Sequence, residues 1–298
     1  MTRPVRQRSV RPSKPESARR LLRRLLTEQF AVIRKNEPRA SRGSVEGLHD
    51  IRVALRRMRS LGMTFHKLEP HFLDRLDRRV AKACDRMGDA RDLDVWIELF
   101  RDLARAGGAP GLEPRDRRAV LMLLRRERTR LAADALQSGN FRHVKRMLRE
   151  HLRRRPAPKK APPAIVFAAR RMLLIRELIA DRYRKVGNFS KGPAHDLRRS
   201  GRRMRYLAEF FAPLVGPAAV RAGRWITKAQ AALGKVHDCD SALELSQDLP
   251  SGAARALVRR KLRQRRAAQL RKFKTAWRHY ADRRLQKTWQ DRLEAVAD

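Results

Sequence analysis

The sequence of 298 residues predicts an all-α fold of two similar helical bundles that share a basic cleft. Three observations lead to this expectation. Apolar residues recur at helical spacing along most of the chain, and no segment shows the alternation and turn residues of a β-hairpin. An eleven-residue motif occurs twice. Lysine and arginine number 73 against 31 acidic residues, which gives a formal net charge of +42.

The repeated motif reads HDIRVALRRMR at residues 49–59 and HDLRRSGRRMR at residues 195–205, with seven of the eleven positions identical. At about 100° per residue, the histidine and three arginines of each copy fall within an arc of about 80°. Apolar residues occupy the opposite side, so each copy predicts an amphipathic helix with a cationic stripe. The two stripes consist of His49, Arg52, Arg56 and Arg59, and of His195, Arg198, Arg202 and Arg205.

Stability alone does not account for such a stripe. Like charges at i,i+3 and i,i+4 spacing destabilise a helix by a few tenths of a kcal/mol per pair, so stability would favour interleaved glutamates. We interpret each stripe as a surface that faces a negatively charged ligand. A solvated arginine-rich face in a basic protein is the alternative interpretation.

The repeat extends beyond the motif. A shift of 146 residues superposes the motif histidines, and it also aligns residues 85–99 with residues 231–245 without a gap. One frame held over this length indicates two halves of similar design, with the stripes meeting at a shared cleft or channel. The shift also pairs Lys82 with Lys228, which are expected to be secondary ligand contacts or solvated lysines. Four repeated aspartates are expected to cap the following helix or to hold motif arginines, rather than to bind a metal: Asp92, Asp94, Asp238 and Asp240.

Proline, glycine and charge divide the chain into four ranges. Residues 1–15 predict a disordered basic tail, residues 16–153 the first bundle, residues 154–163 a proline-rich linker and residues 164–298 the second bundle. Turns are expected at Pro38–Gly47 and helix breaks at Gly88 and Gly234. In the first bundle, helices are predicted near 16–36, 47–68, 71–87, 90–103, 115–137 and 141–153. In the second, they are predicted near 164–185, 193–211, 218–233, 253–278 and 279–296, with a further segment after Gly234.

Several function classes find no support in the sequence. No window of 18 apolar residues predicts a membrane span, and the N-terminal segment lacks the apolar region of a secretory signal. Cys84 and Cys239 have no partner at metal-ligand spacing, so free thiols and a cytoplasmic location are expected. Motifs of metalloproteases, P-loop enzymes and serine hydrolases are missing, so neither catalysis nor a cofactor is expected.

The net charge predicts a polyanionic partner: nucleic acid, an anionic membrane surface or a phosphate polymer. A nucleic-acid-binding protein is the main alternative. Aromatic residues make up only 6% of the chain, and Tyr206 alone interleaves with an arginine stripe, so a stacking platform is missing there. A granule-surface scaffold with basic outer faces is a third possibility, and it is compatible with a phosphate polymer as ligand.

In their order and in both halves, the motifs HDIRVALRRMR, MGDARDLDV, HDLRRSGRRMR and LGKVHDCD resemble the CHAD domain, the conserved histidine α-helical domain. The resemblance runs from about residue 16 to the C-terminus. It implies two antiparallel helical bundles related by internal symmetry, around a basic central groove or pore that binds inorganic polyphosphate. It also implies association with polyphosphate or polyhydroxyalkanoate granules.

The resemblance assigns the ligand-binding role to the motif residues. The matching positions are His49, Arg52, Arg56, Arg57 and Arg59, and His195, Arg198, Arg202, Arg203 and Arg205. The family's RDLD-type motif matches residues 91–94 and departs to HDCD at residues 237–240. Arginine suits a phosphate polymer because its planar guanidinium binds phosphoryl oxygens through two hydrogen bonds, and such binding weakens with salt.

Overall fold

A computed structural model describes residues 16–105, 114–154, 160–247 and 252–297. The expected tail at residues 1–15 lies outside these ranges, as do most of the predicted loop at 107–114 and residues 155–159 of the predicted linker. The described residues are almost entirely α-helical. Their only extended pairing is an isolated bridge between Ser17 and Pro163. The all-α prediction is therefore confirmed.

Within the described ranges, five α-helices precede the linker and five follow it. The first five are α1 (Ala18–Ser41), α2 (Val45–Phe65), α3 (Pro70–Arg105), α4 (Pro114–Gln137) and α5 (Gly139–Arg153), with a 3₁₀ turn at His66–Leu68 between α2 and α3. The second five are α6 (Ala164–Arg184), α7 (Lys191–Val215), α8 (Pro217–Leu245), α9 (Ala253–Tyr280) and α10 (Arg283–Ala297). None of these helices has an apolar run long enough to cross a membrane.

Consecutive helices pack against each other in each set. Contacts join α1 to α2, α2 to α3 and α3 to α4, and likewise α6 to α7, α7 to α8 and α8 to α9. The two sets meet through α1 with α6 and α2 with α7. One continuous apolar core crosses this junction, where the ring of Phe65 lies 4.6 Å from that of Phe167 and 6.1 Å from that of Phe211. The motif helices are therefore fixed to each other through buried aromatic side chains.

The chain segments that enter α1 and α6 exchange hydrogen bonds. The amide of Ala18 donates to the carbonyl of Pro162 at 2.9 Å, and the amide of Ala164 donates to the carbonyl of Glu16 at 2.7 Å. Ala18 and Ala164 begin their helices and are separated by the same 146 residues as the motif histidines. The two contacts are thus reciprocal under the offset that relates the motifs.

The predicted helix breaks at Gly88 and Gly234 are wrong, because both glycines lie inside long helices, α3 and α8. A glycine in a helix interior costs only about 1 kcal/mol relative to alanine, which a helix of this length tolerates. At Gly88 an added Cβ would lie 3.9 Å from Nη1 of Arg52, which is an ordinary van der Waals contact, so α3 and α2 approach each other here without requiring a glycine. The predicted turn at Pro38–Gly47 is also too long, since α1 continues through Pro38 to Ser41 and α2 begins at Val45.

Candidate functional site

The two arginine stripes lie on α2 and α7, the helices that pack against each other between the halves. Charge on Arg56 lowers the pKa of both Arg198 and Arg202, so guanidinium groups from the two motif copies are close enough to repel. The hydrophobic sides of both helices supply buried residues of the core, including Ile51, Leu55 and Met204. The same amphipathic pattern that buries one side therefore aims the arginines into the space between the helices.

Burial of the arginine cluster, which comprises Arg52, Arg56, Arg198 and Arg202, destabilises the ligand-free protein. The pKa of Arg52 is lowered to about 10, first by burial and then by the charge of Arg56. The pKa of Arg202 is also lowered to about 10, again first by burial and then by Arg198 and Arg56. Burial lowers the pKa of Arg198 as well, although the nearby carboxylate of Asp238 opposes that shift.

Buried donor groups in and around the arginine cluster have no hydrogen-bond partner among the described residues. They are Nε and Nη1 of Arg52, the hydroxyl of Tyr206, and Nε of Arg56, Arg57, Arg198, Arg203 and Arg205. Buried polar groups in proteins are nearly always hydrogen-bonded, and an unsatisfied set of this size on one surface calls for an explanation. Donors of like charge that point into one space are the arrangement that an anionic ligand requires.

A hollow of about 290 Å³ opens beside the cluster, between α2, α6 and α7. Motif arginines from both halves line it, namely Arg56, Arg59, Arg202 and Arg203. Arg182 and Arg199 line it too, and the sequence did not indicate either of them. Arg182 lies on α6 outside the motif. Arg199 aligns with a valine in the first copy, so a search for repeated positions passes over it.

The motif histidines His49 and His195 lie at the N-terminal ends of the two arginine stripes. The ring of His195 lies 5.9 Å from the ring of His237 on α8. The pKa values of His49, His195 and His237 are all lowered, first by burial and then by neighbouring arginine charges. His237 is the position at which the second half departs from the RDLD pattern. The structure brings it to the site through tertiary packing, which no sequence spacing shows.

The repeated aspartates lie inside α3 and α8, so the prediction that they cap a following helix is wrong. Burial raises the pKa of Asp92 and of Asp238, and the charge of Asp238 further raises the pKa of Asp92. The positive charges of Arg52 and Arg198 act in the opposite direction on Asp92 and Asp238, respectively. These two carboxylates therefore border the arginine cluster. Within the described residues, no group of three or more metal-ligating side chains forms a metal site.

Other motif arginines make contacts within the protein. Arg57 donates to the carboxylate of Glu209 across the two halves, and Nε of Arg205 lies 3.5 Å from the same carboxylate. Arg59 forms two hydrogen bonds with Asp77, at 2.9 and 3.4 Å. These arginines add positive charge at the edge of the cluster. Their acidic partners hold the side chains in position.

The predicted lysine pair occupies two different settings. Lys82 is an exposed residue of α3. The ammonium of Lys228 lies 4.4 Å from the centre of the Trp225 ring, on a surface between α8 and α9. The structure therefore places Lys228 beside an aromatic ring on α8.

The family model for the CHAD domain matches residues 24–247. The chain belongs to the CHAD domain family. The fold of this CHAD protein is similar to the crystal structure of the CHAD domain from the plant Ricinus communis, with a TM-score of 0.65 and 21% identity, over 99% of this chain and 97% of that one. It is also similar to PptA from Streptomyces chartreusis, with a TM-score of 0.68 and 19% identity, over 88% of this chain and 100% of that one. No curated protein sequence matches the chain.

Proposed function

We propose that this CHAD protein binds inorganic polyphosphate in the space between α2 and α7. The observation that carries the proposal is the set of buried guanidinium donors on Arg52, Arg56 and Arg198 that have no partner among the described residues. The two non-bridging oxygens on each internal phosphorus would accept hydrogen bonds from such donors, and the negative charge would offset the repulsion between them.

A linear polymer fits this arrangement better than a single phosphate does. From the histidine to the last arginine, each stripe spans eleven residues, and the ten steps between them give roughly 15 Å along the helix at 1.5 Å per residue. Successive guanidiniums on facing helices can therefore contact successive phosphates of one chain. Polyphosphate has no base or sugar to be read, so a site built from repeated charge is sufficient for its recognition.

Titration with polyphosphates of graded length at two salt concentrations tests the proposal. We expect affinity to rise with chain length and to fall steeply with salt, because each contact releases counterions. Duplex DNA of equal charge should compete less well at moderate salt. Equal competition by DNA would contradict a polyphosphate-specific site and leave a general polyanion surface.

A quadruple variant locates the site. Replacing Arg52, Arg56, Arg198 and Arg202 with alanine should weaken binding by orders of magnitude and leave the helical circular dichroism spectrum intact. The matched control removes the same charge from exposed positions on α4 and α5, through Arg125→Ala, Arg126→Ala, Arg142→Ala and Arg149→Ala. The control should lose far less affinity. Equal losses in the two variants would show that net charge, rather than this site, determines binding.

We infer a binding role without catalysis. Hydrolysis or transfer of a phosphoryl group by a metal-dependent enzyme needs carboxylates that hold Mg²⁺, and Asp92 and Asp238 are carboxylates that border the arginine cluster. Incubation with polyphosphate and Mg²⁺ should leave the chain length unchanged. Degradation that is lost in Asp92→Asn or Asp238→Asn would overturn this inference.

The same ligand implies a location. We propose that the protein is cytoplasmic and collects at polyphosphate granules or at polyhydroxyalkanoate granules that carry polyphosphate. A fluorescent fusion of the intact chain should form foci that coincide with polyphosphate staining, and the quadruple arginine variant should be diffuse. Foci that persist in the variant would indicate a granule contact outside the arginine cluster.

A further inference from the structure

A second cationic surface lies along α8 and α9, centred on Trp225. This side chain is partly exposed and forms a wall of three adjoining hollows of about 650, 490 and 640 Å³. No residue of either eleven-residue motif is among the described residues that line them. The Trp225 surface is therefore distinct from the arginine cluster between α2 and α7, and Glu209 borders both.

Trp225 presents an aromatic stacking platform. One side of its ring is covered by the ring of His279, with centroids 4.2 Å apart and planes 16° from parallel. The ammonium of Lys228 lies 4.4 Å from the centroid, and the position of His279 leaves only the other side for it. Lys228 is exposed, so its flexible side chain can leave the ring when another group stacks there.

Cations surround the platform. The lining residues include many more basic than acidic side chains, and the acidic ones are Glu209 and Asp282. Among the described residues, no ion pair involves the basic side chains that extend along the surface on both sides of Trp225: Arg221, Arg224, Lys235, Arg271, Lys272 and Arg278. Small residues form part of the floor, including Ala231, Ala268 and Ala276.

We propose that the Trp225 surface binds single-stranded nucleic acid. One base stacks on the ring of Trp225 in the place of the Lys228 ammonium, and the adjacent phosphates contact Lys228 and the surrounding arginines and lysines. Aromatic platforms within a cationic groove bind single strands in this way, with little dependence on sequence because every base has a flat π-surface.

The aromatic ring decides between ligands. Polyphosphate has no ring to stack, so it would gain nothing from Trp225. The bases of a duplex are stacked on one another and are not free to cover the tryptophan. A single strand supplies both the exposed base and the regular charge.

A comparison of two oligomers with equal charge tests the proposal. The probes are a fluorescein-labelled twelve-nucleotide oligothymidylate and an abasic strand with the same number of phosphates, each titrated with the full chain by anisotropy at moderate salt. We expect the wild type to bind the thymidylate more tightly. Trp225→Ala should weaken thymidylate binding about ten-fold and leave abasic binding unchanged, while Trp225→Phe should retain most of the affinity. Equal affinity of the wild type for both strands, or an unchanged affinity in Trp225→Ala, would overturn the proposal.

Two further measurements separate this site from the polyphosphate site. Trp225→Ala should bind polyphosphate like the wild type, which also shows that the variant folds. The quadruple arginine variant should keep the preference of the wild type for thymidylate over the abasic strand. Loss of that preference in the quadruple variant, with retention in Trp225→Ala, would place the bases in the arginine cluster and contradict the proposal. The second measurement does not depend on whether polyphosphate is the ligand between α2 and α7.

Discussion

The carboxylate of Asp94 accepts a hydrogen bond of 2.8 Å from Nε of Arg128, and only 6% and 3% of the two side chains are exposed. Nη1 of the same arginine donates to the carbonyl of Gly43 at 3.1 Å. Gly43 has a φ of 89° and lies in the short connection that precedes α2. The pair therefore links α3 and α4 to the start of the first motif helix.

The second half contains the corresponding contact. Asp240 accepts a hydrogen bond of 2.6 Å from Nε of Arg266, and Nη2 of Arg266 donates to the carbonyl of Phe189 at 3.0 Å. Phe189 has a φ of 60° and precedes α7, as Gly43 precedes α2. The second aspartate of each repeated segment thus positions a motif helix through an arginine outside the motif.

Asp94→Ala should destabilise the protein by about 3–5 kcal/mol, because it leaves the buried guanidinium of Arg128 without a counterion. Asp240→Ala should cost less, because the side chains of Arg266 and Asp240 are 26% and 18% exposed. Chemical denaturation followed by circular dichroism measures both. Asp134→Ala, which removes an exposed partner of Arg130, is the control and should change stability by less than about 1 kcal/mol. Equal effects of Asp94→Ala and Asp134→Ala would contradict the role assigned to Asp94.

The sequence was sufficient for the helical class and for the cationic side of each motif helix, because local periodicity determines both. It was insufficient at Gly88 and Gly234. A glycine is a breaking signal in isolation, but packing along the rest of α3 and α8 outweighs it. Helix boundaries near Pro38 and Gly47 were misplaced for the same reason, since tertiary contacts can extend a helix beyond a local signal.

The sequence also did not predict side-chain contacts between residues of distant helices. Asp94 and Asp240 align under the repeat, but their partners Arg128 and Arg266 do not occupy aligned positions. Arg182 reaches the hollow from α6, and no pattern joins it to the motif. Trp225 lies on α8 outside the motif helices, and the expectation about stacking concerned only aromatic residues that interleave with an arginine stripe.

Arg202→Met should stabilise the ligand-free protein and weaken polyphosphate binding. The pKa of Arg202 is lowered to about 10. Below that pH the arginine is charged, and its burial lowers the free energy of unfolding. This destabilisation fades only as the pH rises above that value. Methionine is also long and flexible, and it removes the buried charge. Thermal melts should show a midpoint a few degrees above the wild type without ligand.

The ligand should reverse the order of these midpoints, because saturating polyphosphate stabilises the form that binds it more tightly. Arg142→Met, at an exposed position of α5, is the control and should leave the midpoint unchanged. A lower midpoint for ligand-free Arg202→Met would show that Arg202 stabilises the fold through hydrogen bonds or ion pairs that form in solution.

Polyphosphate should bind more tightly as pH falls from 7.5 to 5.5. Burial and the neighbouring arginines lower the pKa of His49 and His195, so both are neutral in the free protein at pH 7. A bound phosphate chain favours the charged imidazolium and raises these pKa values, so binding takes up protons. Titration calorimetry in two buffers of different ionisation enthalpy measures that uptake.

The double variant His49→Gln, His195→Gln should show a flatter pH dependence. Burial raises the pKa of Asp92 and of Asp238, and their protonation at low pH would act in the same direction, because a neutral carboxyl no longer repels phosphate. The histidines should lower the stability of the ligand-free wild type over the same interval, whereas the raised pKa values of Asp92 and Asp238 act in the opposite direction. The unfolded histidines take up protons near their ordinary pKa of about 6.5, and the folded ones do so only at lower pH. An identical pH dependence in the double variant would exclude these histidines as its source.

Glu209→Gln should strengthen polyphosphate binding about two- to five-fold at low salt. Glu209 is the shared counterion of Arg57 on α2 and Arg205 on α7. Its removal frees two guanidiniums at the edge of the site, while both remain near the ring of Tyr206, at 5.7 and 4.8 Å from its centroid. The gain corresponds to about 0.5–1 kcal/mol, as expected for a partly exposed ion pair, and it should shrink with added salt. Asp134→Asn makes the same change of charge on α4 and serves as the control. Affinity unchanged by Glu209→Gln, or raised equally by both substitutions, would mean that Arg57 and Arg205 do not contact the polymer.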